Sequence, residues 1–166
     1  MEKFTKFPVY PEEFAAKIFK ITRDGQGNRL THLKVTGGTL KVKTPLTDLQ
    51  EKVNQIRIYS GEKFETVSEA KAGIVCAVTG LQGTRPGEGL GIEKDSDMPI
   101  LVPVMTCQIL PPPECDLTKM IRNLDQLQEE EPELHIIWDE ALQEIRVQAM
   151  GQVQLEILKS QIMERF

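Results

Sequence analysis

The chain has 166 residues, of which 40% are apolar, and it carries a formal net charge of −5. This length fits one ordinary domain or two small ones. No stretch approaches the roughly 20 apolar residues of a membrane span, and the N-terminus lacks the apolar segment of a signal peptide, which favours the cytoplasm. The three cysteines, Cys76, Cys107 and Cys115, contain no C-x-x-C pair. They therefore indicate neither a disulfide framework nor a zinc site.

Charge is unevenly distributed along the chain. Residues 99–166 contain five basic and twelve acidic residues, whereas the preceding part contains 15 basic and 13 acidic ones. A contact with a phosphate backbone is therefore expected in the first half, and the second half should prefer a protein partner. Neither half is basic enough to resemble an autonomous nucleic-acid-binding domain.

Short β-like segments separated by polar and glycine-rich turns fill the first half. The predicted strands are 14–21, 29–35, 39–43, 52–60 and 72–81. Turns are predicted at 23–28 and 36–38 from their glycine, asparagine and aspartate content. Strands of this length and spacing predict an antiparallel β-barrel. We assign this barrel to residues 12–98, preceded by a linker at 1–11.

Glycine and proline crowd residues 80–99, which predict a long loop at the end of the barrel. Part of it, GTRPGEGLG at 83–91, has the glycine content of a phosphate-binding loop. It lacks the Gly-Lys-Ser/Thr ending, and no helix pattern follows it. We interpret this segment as a solvated barrel loop.

The second half has an α+β pattern. A strand at 101–110 is followed by a helix whose apolar residues recur on one face, with a cap before it and a proline after it. The face consists of Leu117, Met120, Ile121, Leu124 and Leu127, the N-cap is Asp116, and the stop is Pro132.

Two further strands, 133–139 and 144–150, predict a hairpin, and a final helix follows Gly151. The residues expected to be buried on this helix are Val153, Leu155, Leu158, Ile162 and Phe166. The order β-α-β-β-α is that of a ferredoxin-like domain, assigned to residues 99–166, without its last strand. The strand at 102–110 should then be a sheet edge that is paired with a neighbouring molecule, capped by the barrel, or left bare.

No catalytic or metal-binding constellation emerges from the sequence. His32 and His135 lie on separate strand patterns, and neither has a nearby cluster of carboxylates or cysteines. Both are therefore interpreted as ordinary strand residues, and no cofactor site is predicted.

Several motifs resemble translational GTPases of the elongation factor G class. FAAKIFKI followed by RLTHLKVTGGTL is similar to the start of their barrel domain, where a Tyr/Phe-Ser-Gly-x-Leu turn occurs at the position of residues 36–40. EAKAGIVCAVTGL at 69–81 is similar to their Ala-Gly-Asp-Ile-x-Ala-x-x-Gly-Leu strand. PVMTCQILPPPECDLTKM, EEEPEL and AMGQVQLEIL resemble their third domain.

Within that class, the segment Gly151–Glu156 resembles the tetracycline-resistance ribosomal protection proteins. Its Gly-x-Val-Gln-x-Glu pattern replaces the Gly-Glu-Leu-His-Leu-Asp that is usual in elongation factor G. The opening, KFTKFPVYPEEFAAKIFKI, is also similar to the linker that leaves their GTPase domain.

The resemblance implies a fragment of a longer translation factor, comprising domain II and most of domain III. The GTPase domain and the C-terminal domains would be missing, so the fragment would be no enzyme. GTP and Mg²⁺ would be cofactors of the parent protein only. The barrel would dock on small-subunit rRNA of the ribosome, and domain III would contact a small-subunit protein and relay the nucleotide state.

The possible rRNA contacts implied by this resemblance are Lys34, Gly37, Gly38, Thr39 and Lys41. Glycines without side chains would let backbone amides approach a phosphate closely, and the two lysines flank the turn. Two alternatives remain open: a fragment of an ordinary translocation factor, and a free-standing module built from a barrel and a ferredoxin-like domain.

Overall fold

The structure, a computed structural model, describes residues 9–46, 51–96 and 103–166. The chain divides into two compact units, Met1–Met98 and Pro99–Phe166. Most of the predicted linker and the predicted junction near residue 98 lie outside the described residues. No helix in the described part of the chain is long and apolar enough to cross a membrane.

The described part of the first unit consists of antiparallel strands. They are β1 (Ala15–Arg23), β2 (Arg29–Gly37), β3 (Thr39–Lys41), β4 (Gln55–Ser60), β5 (Lys63–Val67), β6 (Glu69–Lys71), β7 (Val75–Thr79) and β8 (Gly89–Gly91). Six of them form a sheet with the order β5-β4-β7-β2-β1-β8, while β3 and β6 form a separate two-stranded sheet. The predicted mainly-β architecture of this unit is confirmed.

One core holds the two sheets of this unit together. Along β2 the side chains alternate, so that Leu33 and Val35 are fully buried while Lys34 between them is exposed. Leu40 of β3 and Ala70 of β6 belong to the same buried cluster. Each fully buried aliphatic side chain contributes about 1.5–3 kcal/mol relative to an exposed one. The alternation therefore fixes which face of the large sheet looks outward.

Three short strands were not predicted. Strand β5 is almost wholly exposed at a sheet edge, so its sequence lacks the buried alternation that indicates a strand. Strand β6 has only three residues. The predicted loop at 80–99 is wrong at β8, which pairs with β1 through Leu90 opposite Ala16. The glycines at both ends of β8 are typical of a loop, so the sequence pattern did not indicate a strand there. Residues 97–99 of the predicted loop lie outside the described residues.

The second unit has the predicted β-α-β-β-α order. Its elements are β9 (Met105–Ile109), α1 (Leu117–Glu130), β10 (His135–Asp139), β11 (Glu144–Ala149) and α2 (Gln152–Arg165). The strands form an antiparallel sheet in the order β10-β11-β9. The hairpin is confirmed, because β10 and β11 pair from His135 opposite Gln148 to Asp139 opposite Glu144.

Helix α1 begins where the sequence predicts it. The Asp116 side chain accepts hydrogen bonds from the backbone N–H groups of Thr118 and Lys119, at 2.9 and 3.2 Å. The helix ends at Glu130, before Pro132. Leu124 and Leu127, on the predicted apolar face, are 1% exposed and pack with the sheet residues Ile145 and Val147.

The predicted buried face of α2 is only partly correct. Leu158 is buried, and Leu155 and Ile162 pack partly against the same cluster. Val153 and Phe166, however, are 69% and 49% exposed. The helix covers the sheet along a narrow apolar stripe of Leu155, Leu158 and Ile162. Val153 lies nearly opposite Leu155 around the helix and so faces away from this stripe, and Phe166 follows the last helical residue.

Strand β9 lies at the edge of its sheet, as expected. One side pairs with β11, with Cys107 opposite Val147. No strand in the described part of the chain pairs with its other side. The start of the predicted strand, residues 101–102, lies outside the described residues.

Candidate nucleic-acid interface

The two glycines of the 36–40 turn pack against the chain that leads into β1. A Cβ atom on Gly37 would lie 2.5 Å from the Glu13 carbonyl oxygen and 2.7 Å from Pro11 Cγ. Gly38 has a φ of 57°, and its N–H donates to the Pro11 carbonyl at 2.9 Å. This N–H is therefore engaged within the protein. Close chain packing supplies a structural reason for both glycines.

The lysines that flank the turn lie on different sheets. Lys34, on β2, is exposed and stands opposite Lys17 of β1 and Val75 of β7. Lys41, on β3, is exposed and stands opposite Glu69 of β6. The third side chain of the predicted contact set, Thr39, precedes Lys41 on β3 and is half-buried. The turn thus joins two surfaces, and only that of Lys34 belongs to the large sheet.

A row of rings crosses the outer face of the large sheet. The ring centroids of Phe19 and His32 are 6.1 Å apart, those of His32 and Tyr59 are 6.2 Å apart, and those of Tyr59 and Phe64 are 5.4 Å apart. The Arg57 guanidinium carbon lies 4.6 Å from the Phe64 ring centre. We call these four rings the ring row. Its separations lie in the range of favourable aromatic contacts.

The ring row is unusually open to solvent. Phe19 is 51% exposed, Tyr59 37% and Phe64 49%. A β-bulge between Ile18 and Lys20 places Phe19 as an extra residue in β1 and turns it outward beside Lys20. Exposed aromatic side chains that touch each other mark an interaction surface more often than isolated ones do.

Lysines lie on the β1 and β2 part of the same face. Lys34 lies two residues from His32 on β2, Lys17 stands opposite Lys34, and Lys20 stands opposite His32. The outward-facing residues of β1, β2, β4, β5 and β7, all within the described ranges, include no Asp or Glu. The turns beside these strands add acidic groups, because Asp24 and Glu62 lie along the same surface as Tyr59 and Phe64. The strands of this face are therefore basic, whereas its margin near Tyr59 and Phe64 is also acidic.

The β1–β2 turn closes one end of this face. Asp24 Oδ1 accepts from the backbone N–H groups of Gln26 and Asn28 at 3.0 and 2.9 Å, and Asp24 Oδ2 lies 3.0 Å from Arg57 NH1. Burial opposes ionisation of Asp24, but these bonds and that from the Asn28 side chain outweigh it and lower its pKa to about 2. The ionised carboxylate thereby holds Arg57 in place over Phe64.

His32 forms a side-chain contact with β1. Its Nε2 lies 2.7 Å from Thr22 Oγ1, within hydrogen-bond distance. Burial lowers the pKa of His32 below its ordinary value, and the nearby charge of Lys20 lowers it further. Both effects favour the neutral form of the His32 ring over the charged form. Among the described residues, no three His, Cys, Asp or Glu side chains form a metal-ligand group.

Sequence reasoning missed most of this face. It identified Lys34 but treated His32 as an ordinary strand residue, and it did not single out Phe19, Tyr59 or Phe64. A signal existed in β2, where His32 and Lys34 alternate with buried Leu33 and Val35. The other rings come from strands distant in sequence, and β5 was not predicted.

Comparison with known protein families identifies both units. The family described as "Elongation factor G domain 2" matches residues 13–91, and "Elongation Factor G, domain III" matches residues 100–166. The fold and these matches define two domains of the elongation factor G type. The chain carries the second and third domains of the elongation factor G family, in that order.

Two of the similar curated proteins are elongation factors G. That of Salinibacter ruber is 28% identical over 176 residues, and that of Amoebophilus asiaticus is 28% identical over 173 residues. Each alignment covers 99% of this chain but 24% of the relative. The chain thus spans about a quarter of the length of these relatives.

A solved structure shares the fold. The crystal structure of a protein from Thermus thermophilus matches 92% of this chain and 24% of its own, with a TM-score of 0.75 and 23% sequence identity. The likeness supports the mainly-β plus α+β fold of the two units.

Proposed function

We propose that this chain is a ribosome-docking part of a GTP-dependent translation factor. The observation that carries the proposal is the consecutive match of residues 13–91 and 100–166 to two domains of elongation factor G. The barrel docks on the RNA of the small ribosomal subunit, and the second unit contacts a small-subunit protein. This partnership places the action of the chain in the cytoplasm.

The charge distribution supports the barrel as the RNA-facing part. The barrel half has two more basic than acidic residues, whereas the second half has seven more acidic than basic ones. The outer face of the large sheet concentrates Lys17, Lys20 and Lys34. A polyanion is attracted to such a face even when the whole chain is acidic.

The division of labour follows from what the two units contain. The chain itself is proposed to have no GTPase activity, because its glycine-rich segment at 83–91 lacks the Gly-Lys-Ser/Thr ending of a phosphate loop. GTP and Mg²⁺ belong to the GTPase domain of such a factor. The second unit passes the nucleotide state of that domain to the more distal domains.

The double variant Lys34→Glu/Lys41→Glu tests the docking proposal. We expect it to sediment with small ribosomal subunits more weakly than the wild-type chain and with a shallower salt dependence, because two cations near the phosphate backbone are lost. Lys63→Glu, a single exposed lysine on β5, serves as a charge control. Wild-type sedimentation of the double variant at every salt concentration would refute the contact.

Protection of the ribosome from tetracycline is a second, finer candidate. The segment Gly151–Glu156 favours it, since its Gly-x-Val-Gln-x-Glu pattern resembles the ribosomal protection proteins. One of these residues also has a local role, because Gln154 Oε1 accepts the N–H of Met150 at 2.8 Å at the start of α2. An ordinary elongation factor accounts equally well for the family matches.

Drug tolerance separates these two candidates. The complete reading frame that carries this chain would be expressed in a tetracycline-sensitive host, beside a host that expresses an ordinary elongation factor G. A rise in the inhibitory concentration of tetracycline only in the first host supports ribosomal protection. Equal inhibitory concentrations assign the chain to an ordinary translocation factor.

A further inference from the structure

We infer that the outer face of the large sheet binds unpaired RNA, with bases stacked on the ring row and phosphates held by the neighbouring lysines. The inference rests on the proposed function for its choice of RNA. It goes further by naming the surface, the form of RNA and the mode of recognition.

The first argument is the geometry of the rings. Phe19, Tyr59 and Phe64 are each more than a third exposed, and together with His32 they form one continuous row across the sheet. Single-stranded nucleic acids bind such platforms because every base has a π-face that can stack on a ring. The strands hold these rings on regular secondary structure, so the platform exists before any ligand binds.

The second argument is charge. Lys20 stands opposite His32 and Lys34 lies two residues from it, and no Asp or Glu shares the outward positions of these described strands. Lys17 Nζ donates to the Lys94 carbonyl, and the acidic Asp24 and Glu62 lie in the turns that flank the rings. Lysines interleaved with aromatic rings match a strand that presents phosphates and bases in alternation. A purely apolar protein partner would not explain the lysines, and an acidic protein surface would not explain the rings.

The third argument concerns the form of the RNA. In a duplex the bases are stacked inside the helix, and the deep groove does not admit side chains to them. The ring row can contact base faces only when those bases are unpaired. A loop, a bulge or a single-stranded segment is therefore the expected ligand.

Arg57 and Asp24 lie against the Phe64 end of the platform. Arg57 is 8% exposed and lies over Phe64, while Asp24 accepts its hydrogen bond at 3.0 Å. The partly buried ion pair holds the guanidinium 4.6 Å from the Phe64 ring centre, and Phe64 remains 49% exposed. Arg57 is thus a positioning residue for Phe64.

The test measures fluorescence anisotropy of the full 166-residue chain with labelled probes. The probes are a mixed-sequence RNA of about 12 nucleotides, within the usual span of such sites, the same RNA annealed to its complement, and an acidic peptide of equal charge. We expect the single strand to bind more tightly than the duplex or the peptide.

Ring variants give the sharpest comparison. Tyr59→Ala/Phe64→Ala should weaken binding of the single strand about tenfold or more, since one stacked base contributes roughly a five- to hundredfold change in affinity. Phe64→Trp, which keeps a ring, should retain binding. Phe166→Ala is the matched control, because Phe166 is also 49% exposed and also lies beneath an arginine, Arg165.

Charge variants complete the design. Lys20→Glu should weaken binding and reduce its salt dependence. Lys63→Glu on β5 should have little effect, because the side chain of Lys63 alternates to the side opposite Phe64. Urea denaturation of every variant verifies that it is folded before its binding is interpreted.

Three results would overturn the inference: no binding of the single strand by the wild-type chain, equal binding by the double ring variant and Phe166→Ala, or tighter binding of the acidic peptide. The last would identify a protein partner. Sedimentation with small ribosomal subunits is measured in parallel. If the chain sediments with the subunits but the ring variants bind RNA as the wild type does, the proposed function stands and this inference fails. If the ring variants lose RNA binding but the chain does not sediment, the inference stands and the proposed function fails.

Discussion

Gly37 shows how a residue singled out for binding can serve the fold. Its missing side chain makes room for the Glu13 carbonyl oxygen, which would lie 2.5 Å from a Cβ atom at this position. Because backbone atoms line this space, the surrounding chain cannot yield by a simple rotamer change. The sequence located the turn, but only the structure reveals residues 11–14 beside it.

Substitution of Gly37 by alanine should therefore cost stability. We expect Gly37→Ala to lower the free energy of unfolding by about 1–3 kcal/mol through overpacking. Gly25→Ala is the control, because a Cβ atom there would meet nothing within 4 Å, and its effect should stay within about 0.5 kcal/mol. Equal denaturation midpoints for the two variants in urea would contradict the packing role.

His32 links the ring row to the pH dependence of stability. Burial and the charge of Lys20 lower the pKa of His32 in the folded chain relative to 6.5 in the unfolded chain. The unfolded state therefore binds more protons as the pH falls below 6.5. The stabilising contribution of His32 is fully present above that pH and is lost as the pH falls through the lower pKa of the folded chain.

A His32→Phe variant tests this linkage. The free energy of unfolding of the wild-type chain should decrease as the pH is lowered from neutrality through this window, and the variant should show a weaker decrease. Urea denaturation at a series of pH values, followed by circular dichroism, measures the difference. Parallel pH profiles for the two proteins would exclude His32 as the source.

At the scale of elements, the sequence predicts those whose signals lie within their own residues. It does not predict short strands that form only by pairing with a neighbouring strand. Helix α1 carries its own cap at Asp116, its own apolar face and its own stop, so the sequence defined it closely. Strands β5 and β8 exist because β4 and β1 offer them partners. The exposed face of β5 and the glycines of β8 concealed that pairing.

The C-terminal ends of α1 and α2 are joined by an ion pair. Arg165 donates to both carboxylate oxygens of Glu130, at 3.0 and 2.8 Å. The negative charge at the end of α1 opposes the helix dipole, and the arginine compensates it. The acidic run at 128–133 thus has a structural role as well as a solvated surface, since Glu131 also accepts from Gln161 at 3.0 Å.

Loss of this pair should weaken the second unit modestly. Arg165→Ala is expected to lower its free energy of unfolding by about 1 kcal/mol, because the pair is bidentate but the arginine is partly exposed. Lys159→Ala, at an exposed position of the same helix, should have a smaller effect. Fluorescence of Trp138, the single tryptophan, reports unfolding of this unit. Identical midpoints would assign the pair no stabilising role.

At the scale of the whole chain, the family was indicated by motif resemblance and not by the periodicity of apolar residues. Residue patterns alone indicated a β-rich unit followed by an α+β unit, and the motifs at 69–81 and 149–158 identified the elongation factor G class. The outer face of the large sheet could not be predicted this way, because its rings come from Phe19, His32, Tyr59 and Phe64 on four strands. Only the strand order brings them together.

Competition for the ribosome tests the central claim most directly. The fluorescently labelled chain is sedimented with purified ribosomes while elongation factor G, held on the ribosome by a non-hydrolysable GTP analogue, is added in increasing amounts. If the chain docks as the corresponding domains of that factor do, the factor should displace it from the pellet progressively and completely. A chain that never enters the pellet, or that stays there at saturating factor, would contradict the account.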